Sequence, residues 1–323
     1  MQGFNTLISD DVDQAAYWLS KGELVAIPTE TVYGLAANAL NSLAVRKIFM
    51  TKGRPEYDPL IVHTDEIGKI RQWVSSFPEP LMALARAFWP GPLTLLLPKN
   101  ESVPDLVTAG LPRVGIRIPD HPLTRVLLSR LEFPLAAPSA NPFGYVSPTN
   151  AHHVSAHFNG MIPMILDGGP CIKGIESTIV GMEGEDLMIY RLGALDRADI
   201  ESVVGPVQLQ PHSTSKPLAP GMLTKHYAPN KQVIVIGNLE EAIPLIKSPK
   251  VALITFSQAL DQGYRSVWLS TKGDLQEAAS KFYAALQQWD HDPAIATIVI
   301  ERFPEEHIGI ALNDKLQRAS SKS

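Results

Sequence analysis

Four prolines between 206 and 221, in PVQLQPHSTSKPLAPG, interrupt an otherwise regular alternation of strand-like and helix-like segments. Proline fixes φ and has no amide hydrogen to donate, so neither a long helix nor an inner strand runs through such a stretch. The segment reads as a linker over 206–230. It divides the chain into a first unit at 1–205 and a second at 231–323.

In the first unit, LVAI (24–27), LIVH (60–63), LTLLL (93–97), VGIRI (114–118), PLAA (134–137) and PMIL (163–166) are short apolar strands. Helices are expected from Asp10 or Asp11 to Ser20 and over 42–50, 66–74, 80–88, 149–159 and 196–204, with a hairpin around Glu183–Gly184. The pattern predicts an α/β domain with a twisted mixed sheet and flanking helices. Beyond the linker, strands at 233–237, 251–256, 266–269 and 297–301 alternate with helices at 239–246, 274–289 and 309–319. This is a smaller C-terminal α/β unit, Rossmann-like in rhythm, although VIVIGNLEEA lacks the G-x-G-x-x-G spacing.

Net charge is −5, and residues 1–210 hold 16 Lys/Arg against 22 Asp/Glu. Bulk electrostatics therefore argue against nucleic-acid binding as the main activity, and any anion site must be a local gathering of cations. No apolar run approaches the ~20 residues of a membrane span, and the acidic opening lacks the layout of a signal peptide. The single cysteine, Cys171, excludes an internal disulfide and fits a cytoplasmic location. P-loop, H-E-x-x-H, G-x-S-x-G and paired C-x-x-C patterns do not occur.

Chemistry-bearing residues instead gather in Pro/Gly-rich turns. KGRP (52–55) sets Lys52 and Arg54 on a turn between a helix and a strand, a point charge and a planar fork suited to phosphate oxygens. Arg117 interrupts the apolar strand VGIRI and needs an anionic partner: a ligand carboxylate, or failing that Asp120 or Glu30. Thr29, Glu30, Thr31 and Tyr33 follow a strand directly, and His63 ends another. Ser139, Asn141 and Ser147 lie between prolines on a stiff loop, and GIEST (174–178) offers Ser177 and Thr178. His153 and His157 have helical i,i+4 spacing but no third metal ligand nearby.

PTETVYGL, KGRP with PLIVH, WPGPLTLLL, VGIRIPDHP, APSANPFGYVSPT, ILDGG, GIESTIV and YRLG, in this order over 28–193, resemble the threonylcarbamoyl-AMP synthase family with its YrdC-like catalytic domain. APGMLTKHYAP (219–229) and the second unit resemble its two-domain form, in which such a linker lies across the cleft. The resemblance implies condensation of L-threonine, bicarbonate and ATP into threonylcarbamoyl-adenylate with release of pyrophosphate. The product would feed threonylcarbamoyl-adenosine formation in tRNA, through tRNA or a threonylcarbamoyl-transferase complex as partner, and Mg²⁺ would arrive with ATP.

By the same resemblance Lys52 and Arg54 are catalytic. They stand on the ATP side with Asp58, Arg113, Ser139, Asn141, Ser147, Arg191 and Tyr227. Thr31, His63, Arg117, the backbone at Ala137, and Ser177 form the threonine side. Asp58 replaces a common asparagine and is expected to reach the metal or to pair with Lys52 or Arg54; Leu223 and Thr224 replace a basic and aromatic pair. Two other readings are a double-stranded RNA-binding module and a hydrolase or transferase acting on a carbamoyl-adenylate.

Overall fold

The structure, a computed structural model, describes residues 3–210, 218–222, 227–258 and 264–321. The first domain runs β1 (Leu7–Ser9), α1 (Val12–Ser20), β2 (Val25–Ile27), β3 (Gly34–Asn38), α2 (Ser42–Lys52) and β4 (Ile61–His63). A short 3-10 helix (Ile67–Gln72), α3 (Glu79–Phe88), β5 (Leu93–Pro98), α4 (Asp105–Thr108), β6 (Arg113–Arg117), α5 (Pro122–Arg130) and β7 (Leu135–Ala136) follow. It closes with α6 (Ala151–Phe158), β8 (Met164–Leu166), β9 (Thr178–Glu183), β10 (Asp186–Arg191), α7 (Arg197–Val204) and β11 (Gln208–Leu209). The second domain comprises β12 (Gln232–Ile236), α8 (Leu239–Ala242), β13 (Val251–Thr255), β14 (Ser266–Trp268), α9 (Leu275–His291), β15 (Thr297–Glu301) and α10 (Ile308–Ser320).

All the strands of the first domain join one mixed sheet, ordered β1-β8-β2-β3-β7-β4-β6-β5-β9-β10-β11. The second sheet is wholly parallel, ordered β12-β15-β13-β14. The expected α/β class and the mixed sheet are both present, and strand segments read from apolar runs lie within a residue or two of their observed bounds. One boundary moves. β11 pairs in parallel with β10, Met188 opposite Gln208, so the first sheet extends past 205 into the segment read as linker.

Local chemistry fixes the element that feeds the site. Asn41 caps α2 by accepting from the amides of Leu43 and Ala44. Gly53 closes it at φ 62, a left-handed conformation that glycine adopts without a Cβ penalty. Lys52 is thus the last helical residue rather than a turn residue, and it points inward, 4 % exposed.

One apolar core of the first domain combines α2, α3 and the central strands, and another packs α1 and α5 against β2 and β8. A further core is shared between the domains. It packs Val32, Tyr145, Val146, Ile175 and Ala194 against Phe282, Tyr283 and Leu286 of α9 and Leu312 of α10. The second domain is therefore built onto the first rather than tethered beside it.

Candidate active site

The first domain holds a cleft, closed over by Pro220, Gly221 and Tyr227 of the connecting segment and walled by Thr29, Thr31, Arg54, His63, Arg117, Ser139, Glu176, Ser177 and Arg191 among others. Its floor is a sheet face, since Ile61 and His63, two residues apart on β4, both line it. In β6, Arg117 lies beside His63 in register. β9 is parallel to β5 and antiparallel to β10, which brings Ser177, just before β9, and Arg191, at the end of β10, to the same edge.

Arg117 is 4 % exposed and fully engaged. Its Nη2 stands 2.6 Å from Glu30 Oε1, Nη1 donates to Thr31 Oγ1 at 2.8 Å, and Nε donates to the Gly91 carbonyl at 3.2 Å. Thr29 donates its hydroxyl to the Val32 carbonyl (2.7 Å), so the 2.8 Å contact between Thr29 and Thr31 runs with Thr31 as donor. Arg117, Thr31 and Thr29 form one directed chain, which leaves Thr31 a lone pair but no proton for a ligand. Of the two partners expected for Arg117, the structure contains the protein carboxylate, Glu30.

Arg54 is held similarly. Nη2 lies 3.0 Å from Asp58 Oδ2 and donates to the Pro59 carbonyl at 2.7 Å, and Nε donates to the Asp58 carbonyl at 3.1 Å. Asp58, wholly buried, pairs with one of the partners expected for it and faces the arginine rather than the cleft. Burial pushes its carboxyl up from the usual range, against the pull of Arg54 and Lys52.

Arg191 differs from both. Nε and Nη2 donate to the Ser177 carbonyl (3.1 and 2.9 Å), and Nη2 also reaches Ser177 Oγ at 3.0 Å. Nη1 donates to the Pro220 carbonyl at 3.3 Å. No carboxylate forms an ion pair with it among the described residues, which makes Arg191 the cleft cation best able to take an incoming anion.

Several sequence-based assignments change. Lys52 does not line the cleft; its ammonium donates to the Ser139 carbonyl at 2.6 Å and to the Asn141 carbonyl. Burial, and then Arg54, hold its pKa well below the usual lysine value, so it pins the Pro-rich loop from behind. Arg113 lies at the opposite end of β6 from Arg117, bonded to Met182 O (2.8 Å), Tyr190 (2.8 Å) and Glu183 (2.9 Å), and takes no part in the cleft. The two arginines stand four residues apart on β6, so about 13 Å of β-rise separates their backbones.

Asn141 and Ser147 are buried behind the wall, Asn141 donating to the carbonyls of Pro142 (2.8 Å) and Tyr145 (2.9 Å). Ala137 lines the cleft as expected, with its amide bonded to the Ile61 carbonyl at 3.0 Å. His63 is neutral: burial, reinforced by Arg117, lowers its pKa to about 3. Such an imidazole is too weak a base to deprotonate an ammonium. Tyr227 lines the cleft as expected, whereas Leu223 and Thr224 fall outside the described residues.

One wall residue was not singled out. Glu176 sits inside GIEST, a string whose serine and threonine drew attention first. It is 5 % exposed and meets the second domain through Tyr283 and Lys315. No group of three or more His, Cys, Asp or Glu among the described residues is placed to hold a metal, and His153 bonds within its own helix start instead.

A mixed-sheet α/β scaffold whose cleft gathers Arg54, Arg117 and Arg191 beside the hydroxyl side chains of Thr31, Ser139 and Ser177 defines an enzyme site built for anions. Residues 18–193 match the family model for Sua5, YciO and YrdC, described as telomere recombination, and residues 195–321 match the C-terminal domain of threonylcarbamoyl-AMP synthase. The chain belongs to the threonylcarbamoyl-AMP synthase family, in its two-domain form.

It is 39% identical to threonylcarbamoyl-AMP synthase of Pyrococcus abyssi, covering 95% of this chain and 93% of that one. It is 38% identical to that of Bacillus subtilis, covering 96% and 92%. A shorter synthase from Pseudomonas putida is 34% identical, with the match covering 49% of this chain and 84% of that one. The crystal structure of P. abyssi Sua5 complexed with L-threonine superimposes with a TM-score of 0.91 at 38% identity, covering 98% of each chain.

Proposed function

We propose that this protein condenses L-threonine, bicarbonate and ATP into L-threonylcarbamoyl-adenylate, releasing pyrophosphate. The observation that carries the reading is the convergence of Arg54, Arg117 and Arg191 in one cleft of a chain that aligns almost end to end with named synthases. The solved relative complexed with L-threonine supports an amino acid as one occupant.

In this reading Arg117, aligned by Thr31 and Gly91, receives the threonine carboxylate. That carboxylate joins or displaces Glu30, whose pairing keeps the fork pre-set in its absence. Bicarbonate takes a proton from the threonine ammonium and breaks down to CO₂ and water, and the freed amine adds to CO₂ to give the carbamate with release of one proton to solvent. A carbamate oxygen then attacks the α-phosphorus as the α–β phosphoanhydride bond breaks. Arg191 and Arg54 face the phosphates and stabilise the charge gathering on pyrophosphate. Neutral His63 serves as an uncharged wall beside the amino acid, and catalysis rests on positioning and electrostatics rather than on a protein nucleophile.

Mg²⁺ enters as part of the ATP substrate. The donors present fit that role and not a resident ion, since arginines pair with Asp58 and Glu30 and the Ser147 and Tyr283 hydroxyls occupy Glu176. The adenylate would pass to a transferase that modifies tRNA in the cytoplasm. Among the described residues no helix is long and apolar enough to cross a membrane.

The test is pyrophosphate release from ATP and bicarbonate with threonine, with serine, and with no amino acid. Release that depends on threonine is expected. Release indifferent to the amino acid would favour a hydrolase and overturn the reading.

A further inference from the structure

We propose that Tyr283 and Lys315 of the second domain are positioning residues for this reaction, acting on the ATP side of the cleft through Glu176. The inference rests on the activity proposed above and adds a role for the second domain.

Glu176 is held from both domains. Its Oε1 accepts the Ser147 hydroxyl at 2.6 Å, and its Oε2 accepts the Tyr283 hydroxyl at 3.0 Å. The Lys315 ammonium stands 3.9 Å from Oε2 and donates to the Leu192 carbonyl at 2.7 Å. Gln287, one turn beyond Tyr283 on α9, donates to the Ser147 carbonyl at 3.0 Å. Three side chains of α9 and α10 therefore grip both members of a buried pair in the first domain. Tyr283 and Lys315 are themselves fully buried, so neither has a solvent role.

Glu176 then passes its position to the cleft through short links. Its carbonyl accepts the Ala194 amide at 2.8 Å, and the next residue, Ser177, holds Arg191 through its carbonyl and hydroxyl. Gly193 leaves no room for error, since a Cβ there would lie 2.4 Å from the Glu176 carbonyl oxygen. With the backbone at Glu176–Ser177 packed this tightly, any loss of the clamp on the Glu176 carboxylate is transmitted to Arg191, the cation assigned to phosphate. Arg117 and Thr31, assigned to threonine, are bonded to Glu30, Gly91 and Thr29 instead, whereas Ser177, expected on the threonine side, gives its carbonyl and hydroxyl to Arg191 and Thr94 and acts here as the link to the phosphate cation.

The test is steady-state kinetics on the full chain. Tyr283→Phe keeps the ring and deletes one hydroxyl; it should raise the KM for ATP roughly 5- to 20-fold, with the KM for threonine within twofold and the melting temperature nearly unchanged. In a Glu176→Gln background the same substitution should have little further effect. Wild-type values for Tyr283→Phe, equal rises in both KM values, or independent effects in the double variant would each overturn the proposal. Lys315→Met should act in the same direction, and if it fails to fold Tyr283→Phe still decides. If the wild type releases no pyrophosphate with threonine, the activity reading fails instead. Calorimetric ATP binding to the same variants then judges the positioning claim, with equal affinities counting against it.

Discussion

A guanidinium that already has a carboxylate partner can still be a substrate site, provided the partner is weaker than the substrate or shares the fork. Arg117 meets Glu30 at one nitrogen and Thr31 and Gly91 at others, so its plane is fixed before any ligand arrives. Arg117→Lys keeps the charge but offers one point where the fork offered three directions. Losing one or two charged hydrogen bonds, at about 1.5–3 kcal/mol each, should raise the KM for threonine at least tenfold while the KM for ATP moves little. Equal rises would mean that Arg117 supports the cleft generally.

His63 gives a second prediction at this scale. With its pKa lowered to about 3 in the folded state and near 6.5 when unfolded, its contribution to stability is full above about pH 6.5. That contribution is lost as pH falls towards 3, because the unfolded chain takes up the proton first. His63→Gln should therefore flatten the pH dependence of stability, by about 2–3 kcal/mol between pH 7 and 4.5. Urea unfolding of both proteins at the two pH values measures it, and parallel curves would show that His63 is not the group responsible. Much at this scale was legible: Arg117 on an apolar strand had to find an anion, and Glu30 was among the named candidates. Glu176 was not legible, because its importance comes from Tyr283 and Lys315, more than a hundred residues away.

Elements were readable where one segment carried its own signal. Asn41 and Gly53 mark both ends of α2, and the apolar runs mark β4, β5 and β6. β1, β3 and β11 were not read as strands. They are short and exist through pairing; β1 lies against β8, with Leu7 opposite Met164, a partner no local pattern reveals. α5 was also missed, although Pro122 at its first turn was an available signal.

Glycines at the element junctions allow a controlled comparison. Gly110 (φ 76) and Gly174 (φ 72) both sit in the left-handed region, but a Cβ at Gly110 meets nothing, whereas one at Gly174 would lie 2.3 Å from the Ala279 carbonyl on α9. Gly110→Ala should lose about 1–2 kcal/mol from backbone strain alone. Gly174→Ala should lose clearly more, roughly 3–5 kcal/mol, and should raise the KM for ATP as α9 is pushed away from Glu176. Matching melting temperatures for the two variants would mean that α9 is not seated against this turn.

At the scale of the molecule, the two-unit organisation was visible in the prolines of 206–221, yet the dependence between the units was not. A linker in a sequence implies separable parts. Here the parts share an apolar core containing Val32, Tyr145, Val146 and Ile175 from one side and Phe282, Tyr283 and Leu286 from the other. Tyr145 donates to Asp290 at 2.6 Å, and Lys315 reaches the Leu192 carbonyl. Cutting the chain after Gln210 would leave the core of the first domain and its whole sheet intact. It would also expose the shared apolar face, remove Tyr227 from the cleft and strip Glu176 of Tyr283 and Lys315.

The shorter synthase of Pseudomonas putida, about the length of the first domain, carries the same name, so the truncated fold is not an unreasonable one. Its failure in this chain would come from walls shaped to meet a second domain. Residues 1–210 should keep a folded far-UV circular dichroism spectrum, self-associate more readily than the full chain, and release pyrophosphate at least a hundredfold more slowly with threonine. Full activity in a monomeric 1–210 fragment would mean that the cleft is complete without α9 and α10, and that the contacts to Glu176 serve only to dock the two halves.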